Sequence, residues 1–176
     1  RGYLPNPRPR ATYAGMISFL DSVVGRLRAA VEAAGAGDNT LILITSDNGT
    51  TFNGGVDRAF FGSLGDLRGF KTNLYEGGIR VPMIAWWPGR IAPGTTTDLV
   101  AQLPDLHPTV VEAAGGSVPE GLDGLSLLPT LLRSGEQATH DHLYWEFPEG
   151  RQQQVVGRGP GRRAADALRL VREEGM

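Results

Sequence analysis

A short apolar run that stops at a polar turn constrains the fold of this chain more than any other feature. The run is Leu41-Ile42-Leu43-Ile44-Thr45, and it stops at Ser46-Asp47-Asn48-Gly49. A continuous run of β-branched and leucine residues bounded by turn residues is typical of a strand buried on both faces, as in a parallel sheet covered by helices. Ligands of such sheets gather at the carboxyl ends of the strands, which is where Asp47 and Asn48 are expected.

The elements predicted around this strand fit an α/β fold. Apolar residues recur at three- and four-residue spacing over residues 11–34, which predicts an amphipathic helix ended by Gly35 and Gly37. Periodicity and turn residues predict a strand at 81–86, a helix at 106–114 that Asp105 can cap, a short helical piece around 126–132, a strand within 140–147 and a possible helix at 164–173. A subdomain boundary is expected near Ser134, where the chain becomes polar.

Composition excludes several classes of protein. The 176 residues carry a formal net charge of -2 and no basic block in the first 150, so the electrostatic signature of a nucleic-acid binder is absent. No apolar run approaches the roughly 20 residues that span a bilayer, and the first residues contain no apolar signal-peptide segment. Since the chain has no cysteine, a disulfide, a thiolate metal site and a thiol nucleophile are all excluded within it. Its localisation stays undetermined.

Lysine usage singles out one residue. Lys71 is the single lysine among 17 basic residues. Arginine therefore serves wherever a cation only has to be solvated, whereas a compact ammonium that meets a tetrahedral oxyanion as a point charge has to be lysine. Lys71 is thus a candidate anion ligand. The alternative is that it is one surface lysine retained by chance.

Asp47 and Asn48 are candidate metal ligands. They offer a carboxylate and an amide carbonyl, the hard oxygen donors that Ca²⁺ or Mg²⁺ prefers. Asp-Asn-Gly is also a common turn composition, chosen for its tolerance of positive φ, so a plain turn is the alternative. Because Ca²⁺ takes about 6–8 oxygens, either further ligands lie outside this chain or the metal interpretation is wrong.

The histidines are weaker candidates. His140 and His142 would share one face of a strand, but without a third ligand they are interpreted as surface residues. His107 is interpreted as a packing or capping residue. Glu76 and Arg80 flank Gly77-Gly78 and are expected to pair with each other.

Several motifs in order resemble the sulfatase family. They are Thr45-Ser46-Asp47-Asn48-Gly49, Leu67-Arg68-Gly69-Phe70-Lys71, Tyr75-Glu76-Gly77-Gly78-Ile79-Arg80-Val81-Pro82, Trp87-Pro88-Gly89, Asp123-Gly124-Leu125-Ser126-Leu127-Leu128-Pro129 and Tyr144-Trp145-Glu146. The similarity runs from about Tyr3 to Phe147. It implies part of an alkaline-phosphatase-like sheet flanked by helices, with residues 1–133 in the large α/β domain and 134–176 at the start of a small C-terminal subdomain.

The resemblance also implies a chemistry. Members of the family hydrolyse sulfate esters of small molecules or glycans with one divalent cation, usually calcium. Asp47 and Asn48 match the family's late pair of metal ligands, and Lys71 matches the lysine that contacts the substrate sulfate. Full-length relatives are often periplasmic or secreted. A phosphatase or phosphonate hydrolase of the same superfamily is a more distant alternative.

Other family motifs are missing from the chain. The family's formylglycine nucleophile arises in a Cys/Ser-x-Pro-x-Arg motif, which does not occur here, nor does the early pair of aspartate ligands. The chain thus resembles a C-terminal half that would be inactive alone, and a non-catalytic remnant or binding module is the alternative. After about residue 150 the sequence looks atypical and shows no strand, for which an altered reading frame is one hypothesis.

Overall fold

The computed structural model of the chain describes residues 6–51, 53–147, 152–157 and 168–170. By its contacts the chain forms two compact units, one of Arg1–Thr40 with Ile44–Met83 and one of Leu41–Leu43 with Ile84–Met176. The helices are α1 (Pro9–Ala33), α2 (Arg58–Phe61), α3 (Glu76–Ile79), α4 (Leu106–Ala113) and α5 (Leu128–Leu132). The strands are β1 (Ile42–Thr45), β2 (Met83–Trp86), β3 (His142–Phe147), β4 (Gln152–Gly157) and β5 (Leu168–Leu170). Three-residue 3₁₀ turns lie at Gly37–Asn39, Asn53–Gly55 and Leu103–Asp105.

Helix α1 confirms the amphipathic helix predicted for residues 11–34. Pro9 occupies its first turn, where a missing N–H is tolerated, and Gly35 follows it with φ of 69°. Much of its apolar stripe is solvent-exposed, since Met16 and Leu27 retain 63% and 59% of their accessible surface. No described helix is long and apolar enough to cross a membrane. The periodicity thus predicted the helix, but the described residues do not bury its apolar face.

Strands β1 and β2 pair in a two-stranded sheet, and the predicted burial of β1 is wrong. All four residues of β1 are only half-buried, and Met83 and Ile84 of β2 are exposed. A strand is buried on both faces only when other layers cover both faces, and the described residues do not supply them. Pro82 precedes β2, as expected for a residue that cannot donate to a ladder, and its carbonyl accepts a 2.9 Å hydrogen bond from Thr45 Oγ1.

The second unit ends in an antiparallel sheet with the order β3-β4-β5. β3 confirms the strand predicted within 140–147. The expectation of no strand after about residue 150 is wrong, because Gln152–Gly157 form β4, in which Gln152 pairs with Phe147 and Gly157 with His142. The helix predicted for 164–173 is also wrong over Leu168–Leu170, which pair with β4 as a strand, and the rest of it lies outside the described residues. The boundary near Ser134 stays a prediction.

A buried aspartate forms the polar centre of the second unit. Asp105 was predicted to cap α4, but its side chain makes no capping bond to that helix. Instead it is fully buried and accepts hydrogen bonds of 2.8 Å from Gln102 N, Leu125 N and His140 Nε2. The interpretation of His140 as a surface residue is therefore wrong, since only 13% of its side chain is exposed. A buried carboxylate needs several donors, and this need draws the loop at Leu125 and His140, two residues before β3, towards the start of α4.

Candidate functional site

The loop that follows β1 presents Asp47 and Asn48 as oxygen donors. Asp47 is exposed and Asn48 is half-buried. Ser46 Oγ donates to Asn48 O at 2.9 Å. Asn48 Nδ2 donates to Gly49 O at 2.9 Å, so the nitrogen of the Asn48 side-chain amide is directed towards the backbone. Among the described residues nothing donates to the Asp47 carboxylate or to Asn48 Oδ1. Both oxygens therefore remain available as acceptors.

Gly49 is required by close packing rather than by its φ angle. It does not adopt a positive φ, which was the basis of the plain-turn alternative. A Cβ at this position would collide with the carbonyl of Gly77, and Gly49 N donates to Gly78 O at 2.8 Å. The absence of a side chain thus lets the Asp47-Asn48 loop press against α3.

Lys71 is attached to the same loop through its backbone. Its N–H donates to Thr50 O at 2.8 Å, and a turn closed by Asn73 N donating to Phe70 O at 2.8 Å surrounds it. Thr72, the next residue, adopts a φ of 79°. Lys71 is half-buried, and within the described part of the chain its ammonium has no hydrogen bond or ion pair. The segments that carry Asp47, Asn48 and Lys71 therefore lie in one unit and are connected by a backbone hydrogen bond.

Buried glycines allow α3 to support both segments. Gly77 N donates to Arg68 O at 2.7 Å, and Cβ atoms at Gly77 and Gly78 would collide with the carbonyls of Gly69 and Asn73 respectively. The predicted pair of Glu76 and Arg80 is confirmed as an ion pair along the same helix. Because Arg80 is largely exposed, this pair is worth about 0–1 kcal/mol.

Sequence reasoning missed Thr50. Its hydroxyl is buried, and it has no hydrogen-bond partner among the described residues. A buried hydroxyl without a partner costs free energy, so this atom requires an explanation. The only signal in the sequence was its position directly after Asp47-Asn48-Gly49.

Asp47 and Asn48 offer the type of oxygen ligand that a hard cation prefers, but two residues are too few to form a complete site. No group of three or more His, Asp or Glu residues that could hold a metal occurs in the described ranges. His140 is bonded to Asp105, whereas His142 and His107 are exposed. Calcium needs about 6–8 oxygens, so Asp47 and Asn48 fit as part of a ligand set that other residues would complete.

Comparison with known proteins shows the family. The sulfatase family profile matches residues 3–117, and the profile described as N-sulphoglucosamine sulphohydrolase, C-terminal, matches residues 67–172. The chain belongs to the sulfatase family. The second match continues past residue 150, beyond which the sequence had looked atypical.

Individual relatives and structures agree with this assignment. The chain is 40% identical to arylsulfatase A of Homo sapiens over 142 residues, which cover 80% of this chain and 27% of the relative. The crystal structure of Ps i-CgsB in complex with k-i-k-neocarrahexaose matches with a TM-score of 0.67 at 29% identity, over 86% of this chain and 33% of that one. BT4656 in complex with D-glucosamine-2-N,6-O-disulfate matches with a TM-score of 0.60 at 25% identity, over 80% and 30%.

These matches also define how much of a sulfatase is present. The fold is α/β and alkaline-phosphatase-like, as expected from the sequence. The chain spans about a quarter of the length of the curated relatives it matches.

Proposed function

We propose that this chain supplies the cation-binding and sulfate-binding part of a sulfate-ester hydrolase site, without its nucleophile. Asp47 and Asn48 would each give one oxygen to a divalent cation, for which calcium is the first candidate. Lys71 would bind a sulfate oxygen. The observation that supports this most is the juxtaposition in one unit of two acceptors and an ammonium that the described residues leave unpaired. Backbone hydrogen bonds at Gly49, Thr50 and Lys71 hold their segments together.

The arrangement suits the charge changes of sulfate-ester cleavage. The bound cation would supply a Lewis acid that draws negative charge from a sulfate oxygen. Lys71 would oppose the charge that builds on another sulfate oxygen, and its fixed backbone limits the reorganisation needed in the transition state. A donor of this kind contributes about 3–4 kcal/mol in enzymes where one has been removed.

The nucleophile and the remaining metal ligands would come from outside these 176 residues. The chain has no cysteine and no Ser-x-Pro-x-Arg motif from which a formylglycine could be made. We therefore expect the chain alone to be inactive on sulfate esters. In a longer protein the substrate would be a sulfated small molecule or glycan, a class supported by the sulfated sugar bound to BT4656.

The first experiment is to sequence the coding DNA on both sides of this chain and to express the extended protein. If an in-frame Cys/Ser-x-Pro-x-Arg motif lies upstream, the extended protein should hydrolyse 4-nitrophenyl sulfate, and Lys71→Ala should lower kcat/KM by about 100-fold or more. Arg80→Ala is the matched control, because it removes an exposed cation directly after α3 and should leave the rate nearly unchanged.

Other outcomes would replace this proposal. Without an upstream motif, the chain would be a non-catalytic remnant or binding module. Faster hydrolysis of a phosphonate monoester than of the sulfate ester would place the activity in another branch of the superfamily. Calcium titration by calorimetry adds a separate check, since Asp47→Ala and Asn48→Ala should each weaken calcium binding by the extended protein.

A further inference from the structure

The turn that carries Lys71 has an uncommon backbone conformation. It runs from Phe70 to Asn73 and is closed by Asn73 N, which donates to Phe70 O at 2.8 Å. Lys71 is its second residue and does not adopt a positive φ, whereas Thr72, its third residue, has a φ of 79°. A hydrogen-bonded turn of four residues with this pair of signs is a type II turn. The backbone at the proposed sulfate ligand therefore depends on the conformation of Thr72.

Threonine is a poor residue for this position. The third residue of a type II turn is ordinarily Gly or Asn, because a Cβ is crowded at positive φ and a β-branched side chain is crowded most. Conformations in which Thr72 returns to a negative φ, such as a type I turn, are free of this strain. The Thr72 side chain is exposed and makes no hydrogen bond to the described residues, so it does not explain the conformation. A strained residue persists only where its surroundings hold it.

The surroundings hold this turn at both of its ends. Asn73 Oδ1 accepts a hydrogen bond of 3.3 Å from Phe70 N, which is a second bond between the two ends. Lys71 N donates to Thr50 O at 2.8 Å. A Cβ at Gly78 would collide with the carbonyl oxygens of Phe70 and Asn73, so both carbonyls pack directly against α3. The bond to Asn73 Oδ1 is made by a side chain, and a substitution can therefore remove it without changing the backbone.

Arg133 is the other described non-glycine residue with a positive φ, and its conformation has an ordinary cause. It follows α5 with a φ of 52°, and its N–H donates to Thr130 O at 3.3 Å. A left-handed residue after the last turn is a common way for a helix to end. Thr72 ends no helix and lies directly after Lys71. The strain at Thr72 is therefore best explained by what the turn does for Lys71.

We propose that this turn positions Lys71 for an anion, with Thr72 and Asn73 as positioning residues. When Thr72 returns to a negative φ, ψ of Lys71 changes as well, by about 150° between the type II and type I forms. Because the allowed rotamers of a side chain depend on its own φ and ψ, the directions in which the ammonium can extend change with it. The bond from Phe70 N to Asn73 Oδ1 opposes this release by holding the ends of the turn together. This inference rests on the proposed function, because it takes Lys71 to bind a sulfate oxygen.

The test is calorimetric titration of the chain with D-glucosamine-6-O-sulfate, a monosulfate, at a temperature where every variant is folded. The variants are Asn73→Ala, which removes the side-chain acceptor, Thr72→Gly, which fits a positive φ without strain, and the double variant. Lys71→Ala tests the ligand itself. Thr40→Val is the matched control, because it also removes one side-chain hydrogen bond from the first unit, that of 2.8 Å to Ala36 O, but leaves the turn intact. Circular dichroism melting of each variant checks its folding.

We expect Asn73→Ala to weaken monosulfate binding by about 10-fold, because the strain at Thr72 is no longer opposed and the turn opens. Thr72→Gly should raise the melting temperature and change the affinity by less than about twofold. The double variant should regain most of the affinity that Asn73→Ala loses, since no strain then opens the turn. Thr40→Val should lower the melting temperature and leave the affinity unchanged. If Asn73→Ala does not fold, Asn73→Ser replaces it, with a smaller loss expected because its hydroxyl is a weaker acceptor.

The outcomes separate this inference from the proposed function. Loss of binding in Lys71→Ala together with unchanged binding in Asn73→Ala would overturn the positioning role alone. A double variant that binds as weakly as Asn73→Ala would do the same, because the effect would then not depend on the strain of the turn. Unchanged binding in Lys71→Ala would overturn the proposed function and, with it, any role of the turn in sulfate binding. No measurable binding by the unsubstituted chain would overturn both for this chain.

Discussion

The two units use buried and exposed polar groups in opposite ways. In the second unit, Asp105 is fully buried and its oxygens accept from two backbone amides and His140. In the first unit, Asp47 and the ammonium of Lys71 have no partner among the described residues. Polar groups that are completely satisfied within the fold contribute to its stability, whereas groups left unsatisfied by it are available to a ligand. The contrast predicts that substitutions in the two regions affect different measurements.

Asp105→Ala should have the largest effect on stability. The substitution leaves Gln102 N, Leu125 N and His140 without their buried acceptor, so we expect the free energy of unfolding to fall by about 3–5 kcal/mol. Urea unfolding followed by circular dichroism measures it, with the exposed Asp123→Ala as control. A loss below about 1 kcal/mol would mean that the buried network is not what holds this region together.

Gly49→Ala should have the next largest effect on stability. Its Cβ would collide with the backbone of Gly77, and either the loop or α3 would have to move, at a cost of about 1–3 kcal/mol. Gly25→Ala is the matched control, because a Cβ there meets nothing within 4 Å inside α1 and should stabilise the chain by about 0.5–1 kcal/mol. Equal effects of the two substitutions in urea unfolding would contradict the packing explanation.

Local sequence patterns predicted where helices and strands form better than they predicted how far those elements are buried. The periodicity of α1 and the apolar run of β1 depend on neighbouring residues, and both elements form where predicted. The burial of β1 depends on layers contributed by distant residues, which a local pattern does not reveal. β4 and β5 were missed for a related reason, because Gln152–Gly157 becomes a strand through pairing with β3 rather than through its own composition.

The candidate site shows the same division. Asp47, Asn48 and Lys71 could be proposed from motifs because the roles proposed for them depend on residue type and order. Thr50 could not, since what marks it is the lack of a hydrogen-bond partner among the described residues of the folded chain. Asp105 was misinterpreted as a helix cap because its position before α4 is visible in the sequence, whereas its bond to His140 is not.

Asp57 gives a smaller effect that depends on pH. The hydrogen bond from Phe60 N, followed by the interaction with Arg10, lowers the pKa of Asp57 below its ordinary value. A carboxyl with a lowered pKa in the folded state contributes stability above its unfolded pKa of about 3.9, and the contribution is lost as the pH falls through the folded pKa. Asp57→Asn should therefore destabilise the chain at pH 7 and make its melting temperature less sensitive to pH below about 4. Asp66→Asn, at an exposed position in the same unit, is the control, and an equal change in both variants would contradict the assignment.

Asp47→Ala and Lys71→Ala should have the smallest effects on stability. Neither side chain has a partner among the described residues, and the backbone bonds that hold their loops do not involve the side chains. We expect the free energy of unfolding to change by less than about 0.5 kcal/mol in each variant, measured by urea unfolding without added cation or anion. Their effects should appear only with a ligand, as weaker calcium binding for Asp47→Ala and weaker monosulfate binding for Lys71→Ala. A loss of stability comparable with that of Asp105→Ala would mean that both residues stabilise the fold. It would also remove the main support for a site in this loop.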